Sequence, residues 1–101
     1  MNTTSEKLRQ YASSTASKWR EEAEWREENK SWLRYSQGIA MKMLDRMEEL
    51  GMTQKELATK MGCSQQYVSK ILRGRENLSF ETIDKIEQAL GVVMLKELLT
   101  A

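Results

Sequence analysis

The chain has no histidine and no proline, and only one cysteine, one phenylalanine and five glycines among its 101 residues. Without histidine, the side chain that most often serves as general base and metal ligand near neutral pH is missing. A lone Cys63 cannot form an internal disulfide, and its place in a turn suits a small core residue. The lack of proline, with few glycines, removes the usual helix breakers and leaves an all-α chain as the expectation. No apolar run is long enough to cross a membrane. The polar N-terminal stretch lacks the apolar segment of a secretory signal, so none is expected. Nor does charge of one sign dominate: 16 Lys and Arg stand against 15 Asp and Glu, a net of +1. No nucleophile motif, phosphate loop or carboxylate constellation is present. These absences point away from an enzyme and toward a cytoplasmic binding protein, with no catalytic residue, metal, cofactor or membrane partner expected. A chain of this length makes one domain with at most an appendage.

What is present is concentrated in Gln54 to Arg73, QKELATKMGCSQQYVSKILR. The spacing predicts two short helices joined by a tight turn. Thr53 followed by Glu56 reads as a capping box. Ala58 is small where two helices must cross closely. Gly62 stands where the turn needs a positive φ. Ser64 is the expected N-cap of the second helix, and Gly74 its expected end. At about 100° per residue, Gln65, Gln66, Ser69, Lys70 and Arg73 share one arc, whereas Tyr67, Val68, Ile71 and Leu72 share the other. The polar arc holds no acid. Gln suits adenine and Lys or Arg suits guanine at a major-groove edge. Any surface helix has a polar face, but an acid-free one is less ordinary in a chain with 15 acids. From Thr53 to Arg75 the charges are Lys55, Lys60, Lys70, Arg73 and Arg75 against Glu56, a net of +4. That local excess fits phosphate binding.

On these residues the chain resembles the phage repressor and Cro-like (XRE-type) family of helix-turn-helix regulators, with an N-terminal helical extension. The similarity covers roughly residues 38–93. It is carried by Thr53-Gln54, Leu57-Ala58, Gly62, Ser64-Gln65-Gln66, Gly74 and the ending Ala89-Leu90-Gly91-Val92. It implies a compact bundle of about five helices, and a bacterial or phage origin. It also implies that Gln65, Gln66 and Lys70 lie in the major groove, that Gln54 holds a phosphate, and that the loop near Arg75 and Asn77 holds another. Many family members pair an Arg with a Glu at the positions of Met47 and Leu72. Both charges are absent here together, so no lone ion is buried, and a packed apolar pair is often as stable.

Residues 1–35 form an expected N-terminal helical arm, and 36–101 the expected helix-turn-helix domain, although a helix could run through the weak pattern at Tyr35–Gly38. In the arm, Leu8, Ala12, Ala16, Trp19 and Ala23 make a modest apolar stripe amid mixed charges. All three Trp residues, 19, 25 and 32, fall there. Such aromatic area asks for cover, either by folding back on the domain or by a second subunit. In the domain, Ala40, Met43, Leu44, Met47 and Leu50 form a helical stripe ending at Gly51. Ser79 caps a further helix with Ile83, Ile86 and Leu90 facing in and Glu81, Asp84 and Glu87 facing out, and Phe80 anchoring its start in the core. The tail from Val92 has both strand and helix character and is a second candidate for a dimer contact.

The expected function is a sequence-specific, repressor-like transcriptional regulator whose partner is double-stranded DNA. Gln65, Gln66, Ser69, Lys70 and Tyr67 are the candidate base contacts. Gln54, Lys55, Ser64, Arg73, Arg75 and Asn77 are the candidate phosphate contacts. One recognition helix reads only a few base pairs, so a homodimer on two half-sites about 34 Å apart is expected. One alternative is an antitoxin that binds DNA and also a protein toxin through the arm or tail. The other is a protein-interaction module without DNA binding.

Overall fold

The computed structural model describes the backbone of residues 3–99, and the side chains of residues 7, 9, 10 and 14–99. Its elements are α1 (Thr3–Leu50), α2 (Gln54–Met61), α3 (Gln65–Leu72), α4 (Phe80–Leu90) and a 3₁₀ turn (Lys96–Leu99). No strand occurs among the described residues, as the all-α expectation required. Among the described residues four α-helices stand where a bundle of about five was expected: α1 runs unbroken through Tyr35–Gly38, so arm and first bundle helix are one element, and the tail after α4 forms only a 3₁₀ turn. Gly38 costs a helix about 1 kcal/mol relative to Ala, which a 48-residue helix absorbs. The chain divides into two compact units, Met1–Ser31 and Trp32–Ala101.

In the second unit the core forms around Met43 and Met47 of α1, Leu57, Ala58 and Met61 of α2, Val68 and Ile71 of α3, and Ile86 and Leu90 of α4. The spacings of three and four residues put each set on one helix face. Met43, Leu57, Val68 and Ile86 are fully buried. Met47 is buried in this cluster and Leu72 packs against it, so the two positions that lack the ion pair are both apolar and both packed. Leu44 and Leu50 depart from the expected stripe: they are about half exposed, since the buried face of α1 is narrower than its apolar composition.

Short-range caps set the helix starts. The hydroxyls of Thr53, Ser64 and Ser79 accept from the N–H groups of Glu56, Tyr67 and Thr82, each at 3.1 Å. Each satisfies one of the amides that a helix start leaves without a partner. Gly62, with φ +69°, closes α2 by donating its N–H to the carbonyls of Ala58 and Thr59. Gly74 follows α3 with φ +74°, and a Cβ there would lie 3.2 Å from the Cα of Gln37. Conformation and close approach both call for glycine at this point. Beside it, buried Ser36 donates its hydroxyl to the Glu76 carbonyl, tying the loop after α3 to α1.

Two expectations for α4 are corrected. Phe80 does not anchor the core: it is 81% exposed, because the first turn of α4 carries its ring outside the face formed by Ile83, Ile86 and Leu90. Glu87 does not face solvent: it is 2% exposed. The tail folds across it, and its Oε2 accepts from the N–H groups of Met94 at 2.6 Å and Lys96 at 3.2 Å. Burial pushes the Glu87 carboxyl up, but the amides of Met94, Lys96 and Leu95 and the Lys96 charge outweigh that and hold it below the ordinary carboxylate value. Arg46 Nε donates to the Leu90 carbonyl and Lys42 Nζ to that of Val93, both at 2.8 Å. Three charged side chains thus replace strand pairing as the means of holding residues 90–96, whose path ends in the 3₁₀ turn rather than a strand.

In the first unit, residues 3–31 are helical throughout. None of the described side chains from 14 to 31 is buried, and Trp19 is 73% exposed. The side chains of Leu8 and Ala12, two members of the expected stripe, lie outside the described residues.

Candidate nucleic-acid interface

The turn between α2 and α3 is only three residues, Gly62 to Ser64, so the starts of both helices come to one surface. Gln54 at the first position of α2 and Gln65, Gln66 and Ser69 of α3 together line one polar notch. Four residues singled out in the sequence are therefore neighbours in space, although Gln54 is eleven positions from Gln65. Val68 and Ile71 are buried on the opposite side of α3, which turns Gln65, Gln66 and Lys70 outward. No acid lies in the first turn of α3, and its last turn carries Lys70.

The other candidates divide. Lys55, Ser64, Arg73 and Arg75 are exposed. Arg73 forms the C-cap of α3, one residue before the Gly74 turn. Ser64 uses its oxygen lone pair on the α3 cap, which leaves the hydroxyl proton able to donate. Tyr67 is half buried and packs against the core, so only part of its ring reaches the surface. Asn77 does not join the notch: it is exposed beside a separate, apolar groove of the same unit. That groove is walled by Trp32, Tyr35, Ile39, Phe80, Ile83 and Val93.

One neighbour was missed. Glu76 reaches back to Lys70 across 3.6 Å, with Lys70 largely exposed. The charge window taken from the sequence stopped at Arg75, one residue short. Glu76 is itself only partly exposed, but a single long contact open to solvent on its Lys70 side contributes little, roughly 0–1 kcal/mol, so Lys70 can exchange it for another anion at small cost.

The model of the helix-turn-helix family matches residues 43–95, more than half of the sequence. The chain belongs to the helix-turn-helix family. The resemblance to phage repressor and Cro-like regulators is thereby borne out. Over 44 residues the chain is 48% identical to y4dJ of Sinorhizobium fredii, an uncharacterised HTH-type transcriptional regulator; the match takes in 44% of this chain and 57% of that protein. Over 47 residues it is 40% identical to the control protein C.BamHI of Bacillus amyloliquefaciens, taking in 46% of this chain and 58% of the relative. The chain thus spans a little under three fifths of the length of these two relatives. No solved structure matches it significantly. Among the described residues no helix is long and apolar enough to cross a membrane, and no group of side chains is suited to hold a metal ion.

Proposed function

We propose that the protein is a sequence-specific DNA-binding transcriptional regulator of repressor-like type, with α3 seated in the major groove. The observation that carries this reading is the notch at the joint of α2 and α3, where Gln54 meets Gln65, Gln66 and Ser69 beneath an outward-facing Lys70. Gln65 and Gln66, with Ser69 and Lys70, read base edges, and the exposed part of Tyr67 adds a contact. Gln54 and Ser64, at the starts of α2 and α3, hold phosphates together with free amides of the first turns. Lys55, Arg73 and Arg75, with Asn77 further along the loop, supply attraction that is independent of sequence. Two copies occupy two half-sites, because one helix of eight residues touches too few base pairs to single out a genomic site. A family of this kind acts by binding rather than by catalysis. Neither a toxin-neutralising role nor a module without DNA binding is favoured by the family match or the relatives, and the basic, notched face argues against the second.

The test is a duplex selected from a random pool, followed by titration of variants at several salt concentrations. Gln66→Ala is expected to weaken the selected duplex by about 1–3 kcal/mol and to relax base preference at one position. Arg75→Ala is expected to weaken selected and random duplexes alike and to flatten the salt dependence. Equal losses on both kinds of DNA for both variants would sink the division of roles. No retained duplex at low salt would sink the reading itself.

A further inference from the structure

Between residues 57 and 80 the chain carries a single acid, Glu76, among the bases Lys60, Lys70, Arg73 and Arg75. A carboxylate on a face that meets a polyanion lowers the attraction for it. Two features hold this one in place. Its backbone carbonyl accepts from the hydroxyl of Ser36, a buried residue of α1. Two residues earlier the chain turns at Gly74, whose φ of +74° and close approach to the Cα of Gln37 seat the loop against the same helix. From there the Glu76 side chain, 26% exposed, reaches back to α3, where its Oε1 lies 3.6 Å from Lys70 Nζ. Lys70 is the one cation among the proposed base contacts.

We infer that Glu76 is a specificity-determining residue: it acts through Lys70, restraining the amine from phosphates and leaving it to a base edge. This rests on the DNA-binding reading above. A lysine amine is a compact charge on a flexible four-carbon stem. Unrestrained beside DNA, it finds the nearest phosphate on any sequence, and such a contact carries no base information. The Glu76 carboxylate offsets that charge and biases the stem toward one position. The amine has three N–H donors. It can keep Glu76 on one and give another to the neutral O6 or N7 of guanine, whereas a phosphate would bring a second anion against the carboxylate. Glu76 thus lowers affinity for all DNA, and lowers it most where a sequence offers Lys70 only phosphate. Because the anchor to α1 uses the Glu76 backbone, substituting the side chain leaves that anchor intact.

The test is titration of selected and random duplexes with full-length wild type, Glu76→Gln, Lys70→Ala and the double variant over a series of salt concentrations. Glu76→Gln keeps the size of the side chain and removes its charge. It is expected to tighten binding to random DNA by a factor of about two to five, and to the selected duplex by less, so that discrimination falls. On random DNA the slope of log affinity against log salt is expected to steepen by up to about one, because Lys70 then meets a phosphate. In the Lys70→Ala background the same substitution is expected to leave discrimination and salt dependence nearly unchanged. Equal tightening on both duplexes, no tightening on either, or weaker binding to both overturns the inference. A change of the same size without Lys70 overturns it too, since Glu76 would then be a plain repulsive charge. All of these are read on a wild type that binds DNA. A wild type that retains no duplex at low salt overturns the DNA-binding reading and this inference with it.

Discussion

From residue 14 to 31, α1 buries none of its described side chains; from 32 to 50 it buries Leu33, Ser36, Ala40, Met43 and Met47. The backbone is the same helix in both stretches, and both carry an apolar stripe at helical spacing. The difference lies in what the stripe is made of. In the arm it passes through Ala16 and Ala23, whose single methyl groups offer little area at about 25 cal/mol per Å². In the second stretch it passes through Leu33, Met43 and Met47, which are long enough to reach other elements. Periodicity announces a helix, but the size of the periodic residues decides whether that helix can found a core.

The sharpest test of this contrast is Leu57→Ala, which empties a fully buried site. It is expected to lower the unfolding free energy of the residue 32–101 unit by about 2–5 kcal/mol in a denaturant titration. Glu87→Ala comes next, at about 1–3 kcal/mol at neutral pH, because the amides of Met94 and Lys96 lose their acceptor. Its effect depends on pH in a definite direction. The folded carboxyl lies below its ordinary value of 4.5, so its stabilisation is present above that pH and is lost as pH falls through the lower folded value. Unfolding curves of wild type and Glu87→Ala are therefore expected to converge in acid; a constant gap would show that the carboxylate charge is not what holds the tail. Trp19→Ala is the smallest of the three. At low protein concentration it is expected to shift the unfolding of that unit by less than about 0.5 kcal/mol. A loss as large as that of Leu57→Ala would erase the distinction between the two stretches of α1.

Much of the second unit was legible in the sequence because its signals are local. Thr53, Ser64 and Ser79 each bond an amide three residues ahead, so residue type and spacing are enough to place them. Ala58, Val68 and Ile71 are buried as their helical positions require. Glu87 was misread because its partners lie seven and nine residues away and are backbone amides, which leave no mark in side-chain pattern. Phe80 was misread for the opposite reason: it looks like core by type, yet the helix register carries it outward. The approach of Glu76 to Lys70 depends on how the loop after α3 turns back at Gly74, which charge counting along the chain does not convey.

Sequence alone determined that the chain is helical, where α2, α3 and α4 begin, and which side chains share the outer arc of α3, because these follow from three- and four-residue spacings along a helix. Tertiary structure decided that Gln54 joins Gln65, Gln66 and Ser69 in one notch and that Asn77 lies beside an apolar groove instead. It also decided that Glu87 serves the tail rather than the surface. Those outcomes depend on the turns at Gly62 and Gly74 and on the fold of residues 90–96, where small changes in backbone direction bring together groups far apart in the chain.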